Sequence, residues 1–229
     1  MSLSHAQRNQ LRKRAAREAA AAPVQSMAGA TTYELQLLQL AQDRARLRQI
    51  QSEQGKAELK RELLPAYQPY VEGVLSAGQG AQDEVLTTVM VWRMDAGDYA
   101  GALDIAAYVL RHGLLMPDRF ARTTGCLVAE EVATAALKAQ KVGSTFDLAV
   151  LERTHELTAE QDMPDEARAK LLLATARATL DGDAPKLPRL LIGIDLLRRA
   201  IDLHASCGGK KDLERAERLL KNIAAPAAD

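Results

Sequence analysis

Residues 80–119, GAQDEVLTTVMVWRMDAGDYAGALDIAAYVLRHGLLMPDR, constrain the fold more than any other segment of this chain. Val85, Leu86, Val89, Met90, Trp92 and Met94 make one apolar face at helical spacing, and Leu103, Ile105, Ala106, Val109 and Leu110 make a second. Between them, Asp95-Ala96-Gly97-Asp98 supplies a helix-ending turn. Two apolar-faced helices joined by so short a break bury those faces by folding back, which predicts a helix hairpin. No stretch elsewhere alternates convincingly as a strand. With one Trp, five Tyr and two Phe against abundant Ala and Leu, the core is expected to be close-packed helices rather than a β-sandwich. The expected class is all-α, a helical bundle or helical-hairpin array.

The rest of the chain reads the same way. Residues 5–22 have helix-forming composition but almost no apolar stripe, so a frayed helix or flexible basic arm is expected, followed by a linker over 23–30. Thr31 or Thr32 can cap a long helix reaching Gln54 through Leu35, Leu38, Leu40, Leu47 and Ile50, ended or kinked at Gly55. Its heptad seam, Leu40, Leu47, Ile50 and Ala57, is interrupted by Asp43, Gln54 and Arg61; packing in a bundle and an oligomer contact both fit. Helix continues over 56–64 up to Pro65, with a bend at Pro69. Beyond the hairpin, 117–125 reads as a loop and 127–141 as a helix, with Ser144 or Thr145 capping the next. Pro164 then sits in the first turn of another, and 187–206 and 210–223 form a closing pair. Asp95 to Asp98 and Asp181-Gly182-Asp183 look like turns of tetratricopeptide-like hairpins, but their separation far exceeds the roughly 34-residue period of that repeat. The expected organisation is a basic arm and linker over 1–30, a long helix over 31–64, a hairpin domain over 65–223 and a disordered tail over 224–229.

A 47% apolar fraction in 229 residues suffices for a buried core. Cys126 and Cys207 are distant and form no CxxC, so neither a disulfide framework nor a zinc knuckle is suggested, and a reducing cytoplasm fits. No apolar run approaches the roughly 18–20 residues a membrane span needs, and the polar, Arg-rich N-terminus lacks the apolar core of a secretory signal. The net charge of zero hides an asymmetry, since residues 1–62 carry 11 Lys/Arg against 6 Asp/Glu, leaving +5 there and −5 in the remainder. The positive end is the expected polyanion end. Arg8, Arg12, Lys13, Arg14 and Arg17 form its steepest part, against Glu18 alone in the first 22 residues. Arg44, Arg46 and Arg48 would widen the patch, and Lys56, Lys60 and Arg61 would extend it. Each Lys or Arg that neutralises a phosphate releases condensed counterions, giving salt-sensitive, largely sequence-independent affinity. No aromatic interrupts the arm, so duplex rather than stacked single-stranded DNA is the expected ligand.

Several collinear blocks carry a family resemblance: Ala6-Gln7-Arg8, KRELLPAYQPYVEGVL (60–75), the 80–119 segment, EEVATAA (130–136), ELTAEQDMPDEARAKL (156–171) and GGKKDLERAERLLK (208–221). In these the chain resembles the small subunit of phage terminase, the DNA-packaging motor, from temperate phages with contractile tails. The resemblance implies a homo-oligomer, a ring, that binds the packaging site on duplex DNA in the bacterial host cytoplasm and delivers it to the large ATPase subunit. Related subunits are described as the endonuclease component acting on the cohesive-end site. Small subunits normally read DNA with a helix-turn-helix, and none is identifiable here. Family members carry a Lys/Arg/Pro-rich C-terminal tail where this sequence ends in AAPAAD, so the N-terminal arm is expected to supply more of the affinity.

Cleavage by this subunit would need carboxylates or histidines gathered around Mg2+ or Mn2+. The candidate clusters are Asp83 with Glu84, Asp95 with Asp98, Glu130 with Glu131, and Asp162 with Asp165 and Glu166; each also suits capping or a solvated face. Glu58-Leu59-Lys60 matches a short nuclease spacing only within helix, and His5, His112, His155 and His204 are scattered. Gly208-Gly209-Lys210-Lys211 lacks the strand and full loop of a triphosphate cradle, so no ATPase is expected. Apart from that metal, no cofactor is implied. Three functions are therefore carried forward: DNA-binding packaging subunit, metal-dependent endonuclease, and helical interaction scaffold.

Overall fold

The computed structural model describes residues 3–23, 26–117, 122–182 and 186–224. Among these, ten α-helices account for the regular structure and no strand occurs. The chain divides into two compact units, Met1–Thr124 and Gly125–Asp229. The expected boundary at 64/65 falls inside a helix instead.

The first unit holds α1 (His5–Ala21), α2 (Thr31–Arg48), α3 (Glu53–Ala77), α4 (Glu84–Asp95) and α5 (Tyr99–His112). The hairpin is α4 and α5, with Gly97 at φ 84° in the turn and Asp98 capping α5 through the Gly101 N–H at 3.0 Å. Val85, Leu86, Val89, Met90, Leu103, Ile105 and Ala106 are all buried, as their spacing predicted. Trp92 packs edge-on to Tyr67, ring centroids 5.9 Å apart.

Two local expectations are corrected. The long helix from Thr31 ends at Arg48, because Ser52 caps a new helix by accepting the Gly55 N–H at 3.1 Å. Gly55 therefore lies in the first turn of α3 and terminates nothing. Pro65 does not end a helix either, since α3 runs unbroken through Pro65 and Pro69. Each proline removes one amide donor and crowds the carbonyl four residues back, a cost of about 3 kcal/mol. Burial of Leu63, Leu64, Tyr67, Tyr70, Val71 and Val74 on the same helix offsets it. The seam residues Leu40, Asp43 and Leu47 are buried within the chain, as packing in a bundle requires.

The basic arm is also different from its expectation: residues 5–21 are helix α1, seated on α3. Its buried residues are Ala15 and Ala19. Alanines bury little area, so periodicity of large apolar residues could not reveal the contact. What permits it is Gly73 on α3, where an added Cβ would lie 2.5 Å from the Arg12 carbonyl oxygen and 2.7 Å from the Ala15 Cβ. Such close approach between helix backbones requires a residue without a side chain. Ser4 begins α1 with a reciprocal capping box to Gln7. The linker is anchored too, since Met27 is fully buried and its N–H donates to the Gln82 carbonyl at 3.1 Å; residues 24–25 lie outside the described set.

The second unit comprises α6 (Thr124–Lys141), α7 (Leu148–Leu157), α8 (Asp165–Thr179), α9 (Leu187–Leu203) and α10 (Lys210–Ala224), α6 entering it from Thr124. Helix α8 is buried on nearly every side through Ala167, Ala169 and the run Leu171 to Ala176, as a central helix must be. Leu172, Leu173, Ala176, Leu196, Leu197 and Ala200 form one core cluster. Asp147, rather than Ser144 or Thr145, caps α7. Asp183 and the expected tail at 225–229 lie outside the described residues, as do 118–121 of the expected loop. No described helix is long and apolar enough to cross a membrane.

Candidate nucleic-acid interface

The five N-terminal cations lie together along α1, and all five are exposed. Ala15 and Ala19 face α3, which leaves Lys13, Arg14 and Arg17 on the outer side of the helix. Lys13, Arg14 and Arg17 line a shallow outer surface with Ala6, Asn9 and Gln10. Arg8 and Arg12 face a cleft of about 280 Å3 between α1 and α3, lined also by His5, Asn9, Gln68 and Glu72. The helix therefore carries positive charge on two flanks. Glu18 is its acid, and it is engaged, accepting the Thr32 N–H at 2.7 Å and lying 3.7 Å from Arg14.

The remaining predicted cations are placed differently. Arg44 binds Glu84 at 2.7 Å and the Thr88 hydroxyl at 2.8 Å, tying α2 to α4. Lys60 pairs with Asp95, and Arg61 donates to the Ala96 carbonyl at 3.1 Å, so both clasp α3 to the hairpin turn. Arg46 lies 3.2 Å from Asp43, and Lys56 lies 2.8 Å from Glu53, while Arg48 is exposed at the end of α2. Sequence proximity had grouped these residues with the arm; the fold engages five of the six in intrachain contacts.

The acidic candidates are mostly structural groups. Asp83 is fully buried at the N-cap of α4, where it accepts the Leu86 N–H at 2.8 Å and the Tyr70 hydroxyl at 2.6 Å. Burial pushes its carboxyl up to about 6, although the Tyr70 hydroxyl and the Leu86 and Val85 amides favour the charged form. The same burial, together with the neighbouring carboxylate, drives the Tyr70 hydroxyl upward. Asp43 and the Tyr67 hydroxyl form a second such pair at 2.7 Å. Asp95 holds Lys60, Asp98 holds Arg93 at 2.6 Å, and Glu166 holds Lys170 at 2.8 Å. Glu130, Glu131 and Asp162 are likewise engaged. Among the described residues, no three His, Cys, Asp or Glu side chains gather as a metal-ligating group.

The second unit has a larger cavity of about 750 Å3, lined among others by Leu137, Gln140, Leu173, Arg177, Arg215 and Leu219. None of the predicted DNA-binding residues lines it. Gly73 and the Tyr70–Asp83 pair escaped sequence reasoning. The glycine in VEGVL was a visible signal for the first, but the pairing of residues 13 apart across a turn left none.

The family model of the phage small terminase subunit matches residues 37–166. The chain is 48% identical over 221 residues to the "Terminase, endonuclease subunit" of Escherichia phage P2, covering 95% of this chain and 86% of that protein. It is 24% identical over 178 residues to the "Probable terminase, endonuclease subunit" of Haemophilus phage HP1 (strain HP1c1), covering 74% of this chain and 63% of that one. No solved structure matches. A family match over more than half of the sequence, together with nearly half identity along almost all of it, agrees with the collinear blocks and the all-α architecture: the chain belongs to the phage small terminase subunit family.

Proposed function

We propose that the protein binds the packaging site on duplex DNA through α1, acts as an oligomer, and delivers the DNA to a large ATPase subunit for cutting and translocation. The observation that carries the DNA contact is the set of five exposed cations on one docked helix, with Glu18 already engaged. Family membership supports the packaging role. Leu35 and Leu38, 56% and 63% exposed and one turn apart on α2, offer apolar surface to a second copy.

Salt dependence tests the contact. If all five cations neutralise phosphates, log affinity falls with log salt at a slope of about −4.5, roughly a 500-fold loss between 50 and 200 mM. Replacing Lys13, Arg14 and Arg17 with alanine should bring the slope to about −2. A slope unchanged by those replacements removes α1 from the interface. Solution mass, measured beside it, should report an oligomer at micromolar concentration.

The phage P2 relative's description as an endonuclease subunit favours a second reading, in which this subunit itself cuts the cohesive-end site with Mg2+ or Mn2+. As placed, the candidate carboxylates cap helices or hold cations, and no three-residue ligand set is present among the described residues. The purified chain with site-containing DNA and either cation should nick it under this reading. DNA that stays intact while bound assigns cutting to another subunit.

A further inference from the structure

We infer that α1 is a base-reading helix that lies in the major groove of the duplex, with Asn9 and Gln10 as the residues that read sequence. This rests on the DNA-binding reading above and goes beyond it, because charge on a helix explains affinity but selects no sequence.

The outer surface of α1 is graded along its length. At about 100° per residue, Ala6, Gln10, Lys13 and Arg17 form one ridge opposite the face that Ala15 and Ala19 bury. Its first half carries neutral groups, the Ala6 methyl and the Asn9 and Gln10 amides. Its second half carries Lys13, Arg14 and Arg17. Recognition helices place base-reading residues toward their N-terminus, with phosphate contacts around them. Asn and Gln are the side chains whose amide matches the N6/N7 edge of adenine, and a small methyl suits the thymine methyl.

Asn9 occupies a particular position. It lines both the outer surface and the cleft that holds Arg8 and Arg12, so it lies between the two basic flanks. A helix in the major groove faces a phosphate backbone on each side, and this arrangement supplies cations toward both. The Asn9 carbonyl accepts from Arg12 at 3.2 Å, which orients the amide and leaves its NH2 group to donate. Gln7, by contrast, is occupied by the capping box with Ser4. Residues 4 to 10 are all exposed, and the outer ridge bears no bulky apolar side chain. A helix about 10–12 Å across, with exposed alanines at positions 6 and 20, fits a groove about 12 Å wide.

The test is selection from a randomised duplex pool by the full-length chain, comparing the wild type with an N9A/Q10A double variant and a K13A/R14A/R17A triple variant. Wild type should enrich a motif containing A·T pairs at adjacent positions, with the preferred base favoured about 5- to 140-fold over the wrong one. The double variant should keep the wild-type salt slope on mixed-sequence duplex yet lose preference at those positions only. The triple variant should bind more weakly to every sequence and retain the motif. Cleavage after Arg8 and Arg12, sites that both variants keep, at the wild-type rate confirms that α1 remains docked in both, since the replaced side chains are exposed. A double variant that enriches the wild-type motif overturns the inference. So does a wild type that binds with a steep salt slope and enriches nothing, which would leave α1 as a purely electrostatic contact and the DNA-binding function standing. Absence of any salt-dependent duplex binding overturns the function itself.

Discussion

Replacing Asp83 with alanine is expected to destabilise the first unit by about 2–4 kcal/mol near pH 4, where the carboxyl is largely protonated. The loss combines a helix cap, typically about 1 kcal/mol, with a Tyr70 hydroxyl left buried and unpartnered, about 1–3 kcal/mol. Asp83→Asn should behave differently, because an amide still caps α4 and still meets Tyr70 but does not ionise. The carboxyl sits at about 6 in the folded chain, above its ordinary value of 3.8. A group raised in this way holds the proton more tightly when folded. Its stabilising contribution is therefore complete below about pH 3.8 and is lost as pH rises through about 6, a change of roughly 3 kcal/mol. Asp83→Asn should gain stability relative to the wild type across that window. Urea denaturation followed by Trp92 is a suitable measurement, since this buried indole is the sole tryptophan and reports on the first unit. Parallel pH profiles for the two proteins would contradict the assignment of a desolvated carboxylate at the α4 cap.

Replacing Gly73 with leucine should release α1 from α3. A Cβ at this position meets backbone atoms, the Arg12 oxygen at 2.5 Å and the Ala16 nitrogen at 2.9 Å, rather than the movable end of a side chain. The conflict cannot be relieved by a rotamer change, so the helix moves. Overpacking of this kind costs about 1–3 kcal/mol, which raises the undocked population about 5- to 150-fold. Trypsin cleavage after Arg8, Arg12, Lys13, Arg14 and Arg17 should accelerate by a similar factor, while the Trp92 denaturation midpoint moves less. Unchanged cleavage would mean that α1 is held by something other than this helix contact. Duplex affinity should fall less than in the Lys13/Arg14/Arg17 triple variant, because all five cations remain on the chain and only their arrangement is lost.

The sequence carried the hairpin completely. Its faces are made of large apolar residues at regular spacing, its turn of Asp and Gly, and each signal acts within a few residues of its cause. The Pro65 and Gly55 expectations failed for the opposite reason. A proline's local penalty was outweighed by burial along the rest of α3, and a glycine that looks like a stop was preceded by a serine that makes a start. For the candidate site, the cluster from Arg8 to Arg17 was legible as charge because charge density needs no fold to be counted. That Arg44 and Lys60 serve internal contacts was not, since their partners lie 40 and 35 residues away.

Composition, periodicity and collinear blocks thus determined by themselves that the chain is helical, that it contains the α4–α5 hairpin and that it resembles small terminase subunits. Tertiary structure alone decided that the basic segment is a docked helix and which cations remain available to a ligand. It also decided that Asp83 and Asp43 are buried partners of tyrosines. The physical reason is range: helix and turn preferences are set by neighbours in sequence, whereas the Gly73 contact and the buried Tyr–Asp pairs exist only once distant helices meet.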